Sequence, residues 1–255
     1  MQILADTHLL FWAVSALAVL LTGLSKGGFG GLALLAVPLM SLVMPPTKAA
    51  AIMLPILVVM DMFSLHAYRK FWHRGMIKLM LPAAIVGIGA GWALAGNVSD
   101  DMVRISVGLI AISFALYSAA RLWRGTEGAT PAWARNRNIG RLAGFIAGFT
   151  SFFAHAGGPP FRAYVLPQKL ENQVFVGTAV IFFSCVNAVK LVPYAALGQL
   201  DVNNLILSLC LVPLAPIGIW IAVWGVKRMP MTVFYNLTYT LVFCVGVKLL
   251  YDGLF

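Results

Sequence analysis

Two apolar segments of this chain break in the middle, and the two breaks are alike. The first reads Ser25-Lys26-Gly27-Gly28-Phe29-Gly30-Gly31 and the second Ala154-His155-Ala156-Gly157-Gly158-Pro159-Pro160. Each sets a basic side chain, Lys26 or His155, beside paired glycines. Glycine lets the backbone turn sharply, and proline suits the first turn of a new helix. A helix broken inside a bilayer is tolerated only where protein or a water-filled cavity satisfies the freed backbone groups. Two such breaks at corresponding places in two halves point to a transport site.

The bilayer follows from composition. Hydrophobic residues make up 61% of the chain and charged residues 10%, against about 25% charged in a soluble domain. The fold class expected is an all-α integral membrane protein. The formal net charge of +10 reads as basic loops against anionic lipid rather than nucleic acid, because no basic stripe carries interleaved aromatics. Cys185, Cys210 and Cys244 lie in apolar runs without CxxC or metal-ligand spacing, so they read as small apolar filler. Gly87, Gly89 and Gly91 form a GxGxG inside an apolar run with no strand before it. They therefore read as close helix packing and not as a nucleotide site. No cofactor and no metal are expected.

Taken in order, apolar runs cover residues 8–24, 31–44, 49–68, 76–96 and 102–120. Asp6 and the lack of Lys or Arg before the first run argue against a cleavable signal peptide, so the first helix is expected to be retained. Residues 121–141 hold Arg121, Arg124, Arg135, Arg137 and Arg141 and read as the boundary between halves. The second half repeats the plan, with runs over 142–154, a short segment ending at Pro167, then 173–193, 203–224 and 231–250. Asn187–Tyr194 lines up with Asp61–Tyr68, and Pro213 and Gly218 match Pro82 and Gly87. The domains expected are a first repeat over 1–121, a basic cytoplasmic linker over 122–140 and a second repeat over 141–255.

Lysines and arginines orient the halves. Let each interrupted segment be a hairpin that enters and leaves on one side, followed by three transmembrane helices. Each half then has odd parity and the repeats are inverted. The inside would hold Arg69, Lys70, Arg74, Lys78, Arg121, Arg124, Arg135, Arg137, Arg141, Arg162, Lys169, Lys227 and Arg228. The outside would hold Lys48, Arg104 and Lys248, and Lys26 and Lys190 would lie within the membrane. Two short full crossings in place of a re-entrant hairpin give the same parity.

The first glycine loop, Gly148-Phe149-Thr150-Ser151 with His155-Ala156-Gly157-Gly158-Pro159-Pro160, and the run from Val176-Gly177-Thr178 to Asn187-Ala188-Val189-Lys190-Leu191-Val192-Pro193-Tyr194 resemble the TauE/SafE family. The resemblance spans nearly the whole chain. It implies a multi-pass protein of the bacterial inner membrane that transports small sulfur-containing anions such as sulfite or organosulfonates; members of the family differ in substrate and direction, and export is the direction expected here. In this chain the second glycine cluster is only Gly157-Gly158, followed by two prolines.

Candidate residues follow from charge placed in apolar surroundings. Lys26 is either a substrate contact or a snorkelling lysine at a helix end. His155 could bind substrate, carry a proton or cap the hairpin. The amides of Gly157 and Gly158 open a helix, whose N-terminal N–H groups and dipole favour an anion. Asp61 lies about 10 Å from the inner end of its helix at about 1.5 Å per residue and is a proton site or a structural partner. Asn187 is its counterpart in the second half. Lys190 lies nearer the outer end and reads as snorkelling more readily than Lys26. The substrate-binding set is thus Ser25, Lys26, Gly27, Gly28, Thr150, Ser151, His155, Gly157, Gly158, Asn187 and Lys190, and the ion-coupling candidates are Asp61 and His155. The two hairpin tips are expected to meet near the midplane with the anion between them.

A secondary transporter working by alternating access is the function these features favour, with an anion channel as the alternative. Ser151 and His155, four residues apart, could share a helix face as in a hydrolase, but no orienting acid accompanies them, so an enzyme is not expected. The partners are a small anion and membrane lipid, without nucleic acid, and a homo-oligomer is compatible with the sequence.

Overall fold

The computed structural model describes residues 9–26, 32–124, 132–225 and 231–255. Among the described residues every regular element is a helix. Helix α1 (Leu9–Lys26) is followed by a 3-10 turn (Leu32–Leu35) and the short α2 (Ala36–Met40). Then come α3 (Pro46–Tyr68), α4 (Arg74–Leu94) and α5 (Asp100–Arg124). The second half opens with α6 (Arg137–Ala154) and α7 (Gly158–Val165) and continues through α8 (Asn172–Ala196), α9 (Val202–Leu211), α10 (Leu214–Gly225) and α11 (Met231–Leu254). Five helical stretches are long and apolar enough to cross a membrane: Leu9–Lys26, Pro46–Tyr68, Arg74–Asn97, Gln173–Ala196 and Val202–Ile221. The 8 residues of α7 extend about 12 Å at about 1.5 Å per residue, well short of a hydrocarbon core of about 30 Å.

Helix starts follow the local sequence. Asp201 Oδ1 accepts from the Asn204 N–H at 2.9 Å at the start of α9, and Asn136 Oδ1 accepts from the Asn138 N–H at 2.9 Å at the start of α6. Both cap N–H groups that have no acceptor inside the helix. Asp100 and Asp101 occupy the first turn of α5, where a helix dipole favours negative charge. The run 203–224 reads as one segment, yet the helix breaks between Leu211 and Leu214. Pro213 is the cause, since it has no N–H to donate and its ring crowds the preceding turn. The basic stretch 121–141 is helical at both ends: Arg121 and Arg124 close α5, and Arg137 and Arg141 open α6.

The chain divides into two compact units, each drawing helices from both halves of the sequence. One comprises Met1–Ile56, Val98–Thr126 and Gly198–Phe255, the other Leu57–Asn97 and Glu127–Leu197. In the first, α1 packs on α10 and α5 packs on α11. A Cβ placed on Gly218 would lie 2.7 Å from the Leu20 carbonyl oxygen, and one on Gly23 would lie 2.9 Å from that of Ala215. Only glycine fits on either side of so close a helix contact. Thr47 Oγ1 donates to Asp100 Oδ1 at 2.9 Å.

In the second unit α4 packs on α6 with even closer backbones. A Cβ on Gly148 would sit 2.0 Å from the Ala84 carbonyl oxygen, and one on Gly87 2.1 Å from that of Phe145. Helix α8 lies against α4 and carries buried Thr178, Ser184, Asn187 and Lys190. The His73 N–H donates to Thr178 Oγ1 at 2.9 Å, and His73 Nδ1 accepts from the Met76 N–H at 3.2 Å. The loop before α4 is thereby fastened to α8 and turned into the cap of α4.

Candidate functional site

The α6–α7 turn is built by its own sequence. His155 ends α6 in the left-handed region, φ 53° and ψ 23°, a conformation rare for residues other than glycine and one in which histidine is several-fold enriched. Its N–H donates to the Ser151 carbonyl at 3.1 Å, and the Ala156 N–H reaches the Thr150 carbonyl at 3.4 Å. Thr150 Oγ1 lies 2.8 Å from the Ile146 carbonyl oxygen and 3.0 Å from that of Ala156 and gives its one proton to either. Helix α7 then starts at Gly158, and its first bond runs from the Phe161 N–H to the Gly157 carbonyl at 3.3 Å. A helix start leaves four N–H groups without an intrahelical acceptor. Pro159 and Pro160 remove two of them, so Gly157 and Gly158 hold the two amides this tip can offer.

The two glycines differ in their surroundings. A Cβ on Gly157 would lie 2.6 Å from the Ala147 carbonyl oxygen, so Gly157 is required for the hairpin to close. A Cβ on Gly158 meets nothing within 4 Å among the described residues. Among the described residues, the tip therefore has open space on the Cβ side of Gly158, the first residue of α7.

Lys190 of α8 reaches this turn. It is 0% exposed. Its Nζ donates to the Ser151 carbonyl at 3.0 Å and to Ser151 Oγ at 3.1 Å, and lies 2.5 Å from His155 Nδ1. The sequence alone keeps Lys190 among the substrate-binding candidates but makes snorkelling more readily expected of it than of Lys26. Instead the side chain is turned inward, because a carbonyl, a hydroxyl and a ring nitrogen at the end of α6 satisfy its head. One turn on, the Tyr194 hydroxyl donates to the Phe152 carbonyl, and the Tyr194 ring stacks on His155 with centroids 6.4 Å apart. Two successive turns of α8 thus hold the last turn of α6.

One turn earlier on α8, Asn187 Nδ2 donates to Asp61 Oδ2 of α3 at 2.7 Å. Asp61 is 3% exposed and Asn187 4%. The carboxylate receives a neutral donor at an interior position, a partnership that the repeat alignment shows only as correspondence. Ser184 of α8 is also buried, and its Oγ has no hydrogen-bond partner among the described residues.

Of the residues singled out from sequence, the structure brings Ser151, His155 and Lys190 into direct contact, places Thr150, Gly157 and Gly158 around the same turn, and joins Asp61 to Asn187. Ser25 and Lys26 close α1 in the other compact unit. Gly27 and Gly28 lie outside the described residues. Tyr194, which sequence reasoning uses only to align the halves, clamps the hairpin. No group of three or more His, Cys, Asp or Glu side chains suited to a metal occurs among the described residues. Cys185, Cys210 and Cys244 are free thiols, the last two exposed.

Long apolar helices, a helix broken at paired glycines and a lysine buried against the break fit a membrane protein of the transporter class. The description sulfite exporter TauE/SafE matches residues 15–249, so the chain belongs to that family of membrane transporters, which are not enzymes. No curated protein and no solved structure matches it.

Proposed function

We propose that the protein is a secondary transporter that exports a small sulfur-containing anion, sulfite or an organosulfonate, across the bacterial inner membrane by alternating access. The observation that carries this reading is the Lys190–Ser151–His155 cluster beside the Gly158 amide at the α6–α7 break. An oxyanion needs several donors converging on one centre. Backbone amides at a helix start and one ammonium supply them with little fixed charge. A carrier must also release its ligand, so a single cation suits the task better than an arginine cluster. Lys26 gives the first half a tip of the same chemical kind. Ion coupling is proposed to run through Asp61 or His155.

Inverted repeats are part of the proposal. Support comes from the pairing of elements across the halves. Helix α1 of the first hairpin packs on α10, and α6 of the second hairpin packs on α4. Gly218 and Gly87, matched in the sequence, are the close-contact glycines in these two pairs. Asp61 and Asn187, also matched, bond to each other. A two-fold relation between halves produces such reciprocal contacts.

The test is uptake and counterflow in proteoliposomes with sulfite, sulfate, thiosulfate and short sulfonates. A carrier saturates, and unlabelled substrate on the far side accelerates entry of label. Flux that grows linearly with concentration and shows no counterflow would identify a channel instead.

A further inference from the structure

We infer that Lys190 and His155 share one exchangeable proton, and that the anion and a second proton bind together at this pair, so that the transported anion is carried with a proton. The inference rests on the proposed anion site and names the ion coupled to it. The geometry begins with the 2.5 Å separation of Lys190 Nζ and His155 Nδ1. Two nitrogens this close have room for one proton between them. If the proton is on Nζ, Nδ1 presents its lone pair and the imidazole carries its other proton on Nε2. If it is on Nδ1, the amine of Lys190 is neutral. A proton on both would set two cations and two donors against each other.

The remaining contacts keep the pair together. Ser151 O and Ser151 Oγ hold Nζ at 3.0 and 3.1 Å. Tyr194, bonded to the Phe152 carbonyl, holds the imidazole from its ring side. The titratable groups on the surrounding elements are Lys48, Asp61, His66 and Tyr68 of α3, Arg74 and Lys78 in the first turns of α4, Arg137 and Arg141 in those of α6, Arg162 and Tyr164 of α7, and Cys185 and Tyr194 of α8. Asp61 Oδ2 accepts from Asn187 Nδ2 one turn from Lys190.

An incoming anion changes the balance. Its negative charge offsets the repulsion between a doubly protonated pair, and an oxyanion accepts from both Nζ and the imidazole once they separate. The second proton then comes from solvent and leaves when the anion leaves. Binding and protonation are reciprocal. Affinity for an anion whose own charge is constant should therefore fall by up to about tenfold per pH unit above the pair's titration range, the limit for one linked proton.

Isothermal titration of the purified full-length protein in buffers of different ionisation enthalpy counts the protons taken up. Methanesulfonate, isethionate and sulfate serve as probes because their charge does not change near neutrality, whereas sulfite titrates itself. The expected result is about one proton per anion in the wild type, the same in Asp61→Asn, and none in His155→Gln. His155→Gln removes one of the anion's donors together with the titrating ring, so its affinity should fall, and its proton count is read at anion concentrations that saturate the weakened site. Histidine-labelled nitrogen NMR on the wild type gives the same answer without a variant: one imidazole should pass from the averaged signals of a shared proton to those of a full imidazolium on adding the anion. Anion binding without proton uptake, or uptake abolished by Asp61→Asn and kept in His155→Gln, would overturn the inference while leaving the anion site standing. Binding of none of these anions nor of sulfite would overturn the site and the inference together.

Discussion

Replacing Lys190 by methionine separates the fold from the function of the cluster. Methionine is unbranched and close in length, so the cavity left is small. The Ser151 carbonyl keeps the His155 N–H at 3.1 Å as a donor, and Ser151 Oγ can turn its proton elsewhere. Half-buried His155 Nδ1 loses one partner, which costs at most about 1–3 kcal/mol, the range for a fully buried group left unsatisfied. Against this, a buried ammonium is itself costly by several kcal/mol, so its removal offsets much of the loss. The variant should fold. Anion binding has no such compensation. Unit charges about 4 Å apart at an effective dielectric of about 20 attract by about 4 kcal/mol, which is about a thousandfold in affinity. The assay is the dissociation constant for sulfite or isethionate on detergent-purified protein, with thermal unfolding of the same sample as the control. A folded Lys190→Met protein that binds within about threefold of the wild type would refute the assignment of Lys190 as the anion's counter-charge.

Gly158→Val should leave the unfolding temperature near that of the wild type and abolish transport, because its side chain enters the open space on the Cβ side of the first residue of α7. Gly157→Val should instead lower stability, since its Cβ meets the Ala147 carbonyl; equal melting losses in both would contradict this division. Tyr194→Phe removes the donor to the buried Phe152 carbonyl and should cost about 1–3 kcal/mol in unfolding free energy, read from denaturant titration. Cysteines introduced near the two ends, as Gln2→Cys and Leu254→Cys, should be labelled from outside the cell; labelling from the cytoplasm alone would reverse the proposed orientation.

The break at His155 was legible because its cause is local: paired glycines, two prolines and a basic residue inside an apolar run. So was the start of α7, for the same reason. The partner of His155 was not. Lys190 is 35 residues away, and its position near a helix end suggested escape to the interface. Which way a lysine turns depends on the rotation of α8 and on the carbonyl and hydroxyl that α6 presents, and neither is written near residue 190. Tyr194 was harder still, since its acceptor is a backbone carbonyl. By contrast the close packing expected of Gly87, Gly89 and Gly91 is met at Gly87 and Gly91, which face Phe145 and Phe152 of α6, while Gly89 meets nothing within 4 Å among the described residues. The split at Pro213 shows the limit of composition. Pro55, Pro82 and Pro193 lie within continuous helices, so a proline alone did not reveal where the helix would end.

The location of the bound anion is the most direct test of the account. Selenite or selenate, oxyanions of matching shape, can be placed by anomalous scattering in crystals of the full-length protein. The account predicts a peak beside the α6–α7 turn, within hydrogen-bond or single-water reach of Lys190 Nζ and the Gly158 amide. A peak along α3 and α8 at Asp61 and Asn187, with none at the turn, would contradict it.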